Sequence, residues 1–300
     1  MTQSVGAEPA SALACHGLTK DYGHGNGLFD FTVRIEAGEV FGLIGPNGSG
    51  KSTMIKLVMD LIRADSGSAS VFGLDSRRDS REVKRRVGYI PGELVRFPGV
   101  SARYVLHLLA GLRGGVDPRY IADLADRLQV NLSRRFEDLS HGNKQKVAII
   151  QALMHRPDVY ILDEPTLGLD PLMQREFRQI LRDEQRRGAT ILLSSHVLPE
   201  VESVCSRIGF LNAGRLVRDG TLDELRAFTA HQVEMVVPTG ARVDALARLE
   251  GVRNLEISGD RVRLEVRGDM ARFLRAAAEL EPVELDSREL TLEEVFYAEF

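Results

Sequence analysis

Four stretches of this chain carry residue types at spacings that can do phosphate chemistry. The first reads Gly45-Pro46-Asn47-Gly48-Ser49-Gly50-Lys51-Ser52-Thr53 and fits G-x-x-x-x-G-K-[ST] at every fixed position. An apolar run, Val40-Phe41-Gly42-Leu43-Ile44, precedes it, and a run of helical periodicity over residues 53–60 follows. Strand, glycine-rich turn and helix in that order wrap successive backbone N–H groups around one concavity, with Gly48 and Gly50 allowing the tight bends. The concavity opens onto a helix N-terminus, where partial positive charge favours a polyphosphate. In such a loop the lysine, here Lys51, reaches the β- and γ-phosphates, and the hydroxyl of Ser52 completes a Mg²⁺ shell. The stretch predicts binding of a nucleoside triphosphate with Mg²⁺.

The second stretch, Val159-Tyr160-Ile161-Leu162-Asp163-Glu164-Pro165, is an apolar run ending in two carboxylates. A continuous apolar strand is what a parallel sheet covered on both faces requires. Asp163 at its carboxyl end is placed to hold Mg²⁺, and Glu164, facing differently, to polarise an attacking water. The third, Thr190-Ile191-Leu192-Leu193-Ser194-Ser195-His196, is another buried strand with a histidine just past its end. Ligands gather outside the carboxyl ends of such strands, which favours a functional His196 over a structural one. The other six histidines, His16, His24, His107, His141, His155 and His231, have no such context. The fourth, Leu139-Ser140-His141-Gly142-Asn143-Lys144-Gln145-Lys146, precedes a helix predicted over residues 144–154. Ser140 and Gly142 there make either a second anion cradle or ordinary capping. Tyr22, in Asp21-Tyr22-Gly23-His24-Gly25-Asn26-Gly27, is either a packing residue or an aromatic that stacks on a purine.

The elements that must position these residues are legible in outline. Residues 13–20 and 31–35 alternate apolar and polar, as half-exposed antiparallel strands do. Residues 69–72 and 87–90 read as short strands. The Arg- and Lys-dense residues 76–86 read as a solvated helix face in preference to a nucleic-acid patch. Residues 100–112 and 120–128 have helical periodicity and are separated by Gly114-Gly115 and Asp117-Pro118, which suggests a helical subdomain inserted between strands. Asp170-Pro171 reads as a helix start, with Asp as cap and Pro in first position. From residue 232 the pattern changes to strand (233–237), helix (242–249), strand (252–258), strand (262–266), helix (271–280), strand (282–286) and a last helix (292–300). Without that last helix the order is the ferredoxin-like β-α-β-β-α-β. No catalytic cluster falls in it, and it reads as an interaction or dimer-supporting domain.

Composition narrows the class. The 300 residues are 43% hydrophobic and 27% charged, enough for a sizeable core in about two domains. A net charge of −4 gives no global reason to expect nucleic acid. No apolar run approaches the ~18 residues of a spanning helix, and residues 1–12 lack the order of a signal peptide and read as a flexible leader. The two cysteines, Cys15 and Cys205, are expected to be reduced thiols of a cytoplasmic protein. Any membrane role must then come through a partner.

With Lys51, Asp163, Glu164 and His196 placed, the order of motifs over about residues 13–226 resembles the ATP-binding subunits of ABC transporters. Gly45 to Thr53 is similar to Walker A, and Ile161 to Glu164 to the end of Walker B with its catalytic glutamate. Leu139 to Asn143 resembles the ABC signature, Leu167 to Asp170 the D-loop, His196 the switch histidine and Tyr22 the adenine-stacking aromatic. The signature and the tail resemble the bacterial drug- and antibiotic-export branch. Two departures stand out. The signature reads LSHGN where LSGGQ is usual, so His141 replaces a glycine and Asn143 a glutamine, while Ser140 and Gly142 are retained. After Tyr89-Ile90 the usual glutamine is replaced by Gly92, followed by Glu93. Either Glu93 takes over contacts to metal or water, or this loop contributes more to contact with a membrane partner.

The resemblance implies an α/β fold. It would be a P-loop NTPase with a RecA-like core, an antiparallel β subdomain and an inserted helical subdomain (about residues 92–157), plus a small α+β C-terminal domain. The expected organisation is a leader (1–11), an ABC-type ATP-binding domain (12–226) and an accessory domain (227–300). Two copies would pair head to tail, each ATP lying between Lys51 of one and Ser140 and Gly142 of the other. The catalytic residues would be Glu164, His196 and Lys51, with Mg²⁺ on Ser52 and Asp163 and Glu93 as a further candidate. Hydrolysis would drive export of a drug, antibiotic or other small lipophilic molecule through a separate permease at the cytoplasmic face of the membrane. The rival is a soluble ABC ATPase acting on ribosomes or DNA. Against it stand the single phosphate loop and the absence of sustained heptads.

Overall fold

The first strand, β1 (Ser11–Asp21), pairs antiparallel with β2 (Gly27–Glu36) in a computed structural model that describes residues 11–226, 230–238, 240–290 and 294. Phe31, Val33 and Ile35 of β2 face inward while Thr32 and Arg34 face water, the period-two pattern expected of a half-buried strand. The chain then dives into β3 (Val40–Ile44), buried throughout, and emerges into α1 (Lys51–Val58). β4 (Ser66–Val71) returns to pair with β1, and the two-residue β5 (Leu74–Asp75) pairs with β4. α2 (Ser80–Arg86) buries only Val83, in keeping with a solvated basic face. β6 (Val87–Ile90) follows.

Two helices come next. α3 (Ala102–Leu112) is capped by Ser101, whose hydroxyl accepts from the Tyr104 N–H. α4 (Pro118–Arg127) is capped by Asp117 with Pro118 in first position. α5 (His141–Leu153) begins three residues before the periodic stretch at 144, because Ser140 accepts from the Asn143 N–H and closes the extra turn. Then come β7 (Val159–Asp163), α6 (Pro171–Arg186) and β8 (Thr190–Ser195). Asp170 caps α6 through the Met173 N–H, as the Asp-Pro pair predicts. The short α7 (Leu198–Glu202) leads to β9 (Arg207–Asn212) and β10 (Arg215–Thr221).

These strands build two sheets, β2-β1-β4-β5 and β10-β9-β3-β8-β7-β6. In the second, β3/β8, β3/β9, β6/β7 and β7/β8 all run parallel. Ile44 pairs with Ser195 and Asp163 with Ser194, so β3, β7 and β8 finish at one edge. That alignment brings three sequence-distant turns together. Phe31, Phe41, Met54, Ile55, Val159, Ile161 and Leu192 belong to one buried cluster beneath them. Cys15 and Cys205 are free and buried; burial pushes the Cys15 thiol up to about 12 and the Cys205 thiol well above its ordinary range.

Contacts divide the chain into Met1–Gly220 and Thr221–Phe300. The second unit contains α8 (Leu222–Arg226), β11 (His231–Val236), α9 (Asp244–Ala247), β12 (Val252–Ser258), β13 (Arg261–Val266), α10 (Met270–Ala278) and β14 (Glu284–Glu289). Its sheet order is β12-β13-β11-β14, with every pairing antiparallel, which is the β-α-β-β-α-β arrangement read from the sequence. Val233, Met235, Leu246, Val262, Leu264 and Phe273 form its own core. One strand differs from expectation. The segment predicted at 282–286 pairs with β11 from Glu284 to Glu289, and all six residues are exposed, so no apolar pattern marked its ends. The helix predicted at 292–300 lies outside the described residues apart from Glu294.

Candidate nucleotide site

Steric limits around the 45–52 loop explain its glycines. A Cβ on Gly45 would lie 2.1 Å from the Leu211 carbonyl oxygen and 2.6 Å from Ser49 Oγ. Gly50, at φ 107°, is the left-handed residue that turns the loop into α1. The loop is tied to β9–β10 by Gly214, whose N–H donates to the Ser49 carbonyl at 2.9 Å. Lys51 is 6% exposed and donates its Nζ to the carbonyls of Gly45 (2.6 Å) and Pro46 (3.2 Å). Its Nζ also lies 3.6 Å from Glu164 Oε1. Burial lowers the Lys51 pKa, an effect opposed by the nearby Glu164 and Asp163 carboxylates.

Asp163 and Glu164 diverge as their spacing predicts. The Asp163 carboxylate is buried and accepts the Ser194 hydroxyl at 2.6 Å. The same Ser194 Oγ accepts the Glu164 N–H at 3.1 Å. Glu164 has φ 48°, a left-handed conformation that costs a non-glycine residue about 1 kcal/mol. Its Oε2 lies 2.9 Å from Nδ1 of His196. Lys51, Asp163, Glu164 and His196 are thus one constellation at the edge where β3, β7 and β8 end.

A groove of about 530 Å³ runs alongside, lined among others by Ser52, Gly92, Glu93, Asp163, Glu164 and Leu167. Among the described residues no group of three or more His, Cys, Asp or Glu could cage a metal, but Mg²⁺ needs only one or two protein oxygens besides water and phosphate. The Ser52 hydroxyl and the Asp163 carboxylate in one groove fit that donor set. Glu93 lines the groove as an exposed side chain, whereas Gly92 lies against the metal candidate: a Cβ there would be 2.8 Å from Asp163 Oδ2. Tyr89 in the same groove is pushed up to about 12 by burial and by Asp163.

Ser140 and Gly142 stand apart from this constellation. Neither lines the groove; Ser140 is exposed at the start of α5, and Gly142 is partly so. Tyr22 is 55% exposed, which removes the packing reading. Its loop ends at Gly27, whose carbonyl oxygen would be 2.9 Å from a Cβ on Gly50, so it flanks the phosphate loop. Pro46, Asn47, Gly48 and Thr53 occupy the loop and the first turn of α1 around Lys51 and Ser52.

The ABC transporter family pattern matches residues 28–167. The ABC transporter ATP-binding protein YtrB of Bacillus subtilis is 31% identical over 91% of this chain and 92% of its own length. The bacitracin transport ATP-binding protein BcrA of Enterococcus faecalis is 33% identical over 74% of this chain and 73% of its own. The chain belongs to the ABC transporter family.

The chain spans 38% of the length of another relative, the probable multidrug ABC transporter ATP-binding protein YbhF of Escherichia coli, with 34% identity over 71% of this chain. A solved ATP-binding subunit of an ABC transporter superposes with a TM-score of 0.67 at 33% identity, covering 72% of this chain and 92% of that one. The first unit is accordingly the P-loop ATPase cassette of this family, and its enzyme class is ATPase. Three residues of the cassette escaped motif reading. Ser194 bridges Asp163 to the Glu164 backbone across two strands. Glu200 accepts from Thr166 and Ser195, and Gln145 donates to the Pro165 carbonyl at 2.8 Å. Each acts across elements, and no local spacing announces such a contact.

Proposed function

We propose that this cassette hydrolyses ATP in a head-to-tail pair of copies and powers export of a drug, antibiotic or other small lipophilic molecule through a separate permease. Lys51 and the loop 45–52 bind the triphosphate, and Tyr22 stacks on the adenine. Ser140 and Gly142 of the second copy close over the γ-phosphate. Glu164 orients a water and takes its proton, with His196 fixing the Glu164 carboxylate and contacting the γ-phosphate. Mg²⁺ bound by Ser52 and Asp163 would neutralise charge on the phosphates; Glu93 is a further candidate contact. The helical segment 92–157 passes the motion to the permease, which holds the cassette at the cytoplasmic face of the membrane. Among the described residues no helix is long and apolar enough to cross a membrane, consistent with a separate membrane subunit. The accessory segment 227–300 serves assembly, and no nucleic-acid partner is assigned.

One observation carries the reading: the Lys51–Glu164–His196 cluster beside a buried Asp163. The relatives named for multidrug and bacitracin transport support the export branch. Glu164→Gln keeps the size of the side chain and removes its basicity. It should leave ATP binding intact, lower turnover at least about a hundredfold and accumulate ATP-bound dimers, measured by steady-state hydrolysis and light scattering. Normal turnover would remove Glu164 from its role. Co-purification with ribosomes or DNA in place of a multi-spanning protein would overturn the transport reading.

A further inference from the structure

The start of α5 grips the loop between β7 and α6 at three levels. Gln145 is buried and donates to the Pro165 carbonyl. Three residues earlier, Gly142 approaches so closely that a Cβ there would lie 2.5 Å from the Gly168 carbonyl oxygen. One residue earlier still, the His141 ring, itself exposed, lies against the exposed Gly168. A Cβ on Gly168 would sit 2.6 Å from His141 Cδ2 and 3.3 Å from its Nε2. Gly168 has φ 79°, so both its own conformation and the imidazole against it call for glycine. From the other side, Glu200 Oε2 accepts the Thr166 hydroxyl at 2.7 Å and the Ser195 hydroxyl at 3.1 Å. The loop is held between α5 and α7.

His141 stands where the related LSGGQ signature has glycine. A glycine would leave the first turn of α5 with more backbone freedom and nothing over Gly168. We propose that His141 is a positioning residue: its ring fastens the signature turn to the loop 165–169, so that both meet the partner copy as one rigid surface. The inference rests on the reading that two copies enclose each nucleotide. Its physical basis is pre-organisation, because a turn already ordered in the free chain need not be ordered when the second copy arrives. Packing does this work, not the ring nitrogens, which separates the role from a direct phosphate contact.

The test uses the full-length chain carrying Glu164→Gln, in which dimers are followed by sedimentation as a function of ATP and protein concentration. Adding His141→Gly should raise the dimer dissociation constant about fivefold or more, the scale of coupling between residues in contact. Adding His141→Phe should hold it near the parent value, since a flat phenyl ring of similar size can lie against Gly168 in the same way. Binding of a fluorescent ATP analogue to the monomer should change less than about twofold in both, because the monomer's own site lies elsewhere. With Glu164 intact, His141→Gly should raise KM for ATP and leave kcat nearly unchanged. Gly168→Ala should weaken the dimer more in the parent than alongside His141→Gly, where the ring no longer obstructs the added methyl. A parent that dimerises normally with His141→Gly unaffected overturns the inference alone. His141→Phe behaving like His141→Gly overturns it too, by giving the work to the nitrogens. A parent with no ATP-dependent dimer overturns the two-copy reading and the inference with it.

Discussion

Ser194 shows what individual atoms contribute at this site. Its hydroxyl donates to the carboxylate proposed to hold the cation, and accepts from the backbone N–H of the residue proposed to orient the water. Ser194→Ala would strip both contacts from a fully buried place, where a lost hydrogen bond to a charged group costs about 2 kcal/mol. A partner behind a metal ligand is commonly worth about 10- to 100-fold in activity. The expected result is therefore a lower unfolding midpoint and a kcat reduced by about that factor, with Ser194→Thr restoring most of both because the strand tolerates a β-branched residue. Calorimetry and steady-state hydrolysis of the two variants would check it. Unchanged kcat in Ser194→Ala would show that Asp163 is oriented by other means. Gly92 makes a second residue-scale case. Restoring the family glutamine there should lower activity, because its Cβ would press to 2.8 Å from Asp163 Oδ2. The overpacking should cost about 1 kcal/mol or more. A Gly92→Gln variant with raised turnover and an unshifted unfolding midpoint would refute this.

At the scale of elements, the strand ends and helix starts that carry chemistry were legible, and the contacts between them were not. Lys51, Asp163, Glu164 and His196 each announce themselves through a local pattern, a loop spacing or an apolar run that stops at a polar residue. Their meeting at one edge depends on strand order, with β3 between β8 and β9, and no single stretch encodes that order. β9 and β10 passed unread because Arg207 and Arg215 begin them and Asp219 lies within β10; Arg207 pairs with Glu39 and Asp219. The junction of α5 with β6 likewise holds a half-buried group that no motif flagged. His155 Nε2 lies 2.7 Å from Arg113 Nη1, and burial with that guanidinium lowers its pKa from 6.5 to about 4. The folded state therefore binds fewer protons there than the unfolded state between about pH 6.5 and 4. Stability from the neutral ring is full above that window and is lost as pH falls through it, by up to about 3 kcal/mol. His155→Gln should flatten that acid limb when the unfolding midpoint is followed against pH. An identical slope in the variant would place the acid sensitivity in other groups.

At the scale of the molecule, two units with separate cores share one chain, and the Lys51, Asp163, Glu164 and His196 constellation lies in the first. Phe31, Met54 and Leu192 lie in one buried cluster, Val233, Leu264 and Phe273 in another. A ligand that binds only the native form stabilises it by about 2.7 kcal/mol at a hundred times its dissociation constant. That free energy belongs to the cooperative unit which must be intact for Lys51, Ser52 and Asp163 to meet, since protection spreads through a unit and stops where cooperativity stops. ATP added to the Glu164→Gln chain below its dimerisation range should therefore slow hydrogen exchange in β3, α1, β7 and β8, and leave the exchange of β11 and β13 unchanged. Peptide-resolved exchange with and without nucleotide measures both at once. Equal protection of Val233–Met235 and Leu264 with that of Ile161–Asp163 would mean that the tail unfolds together with the ATPase unit, and would turn the accessory segment from a separate support into part of the nucleotide response.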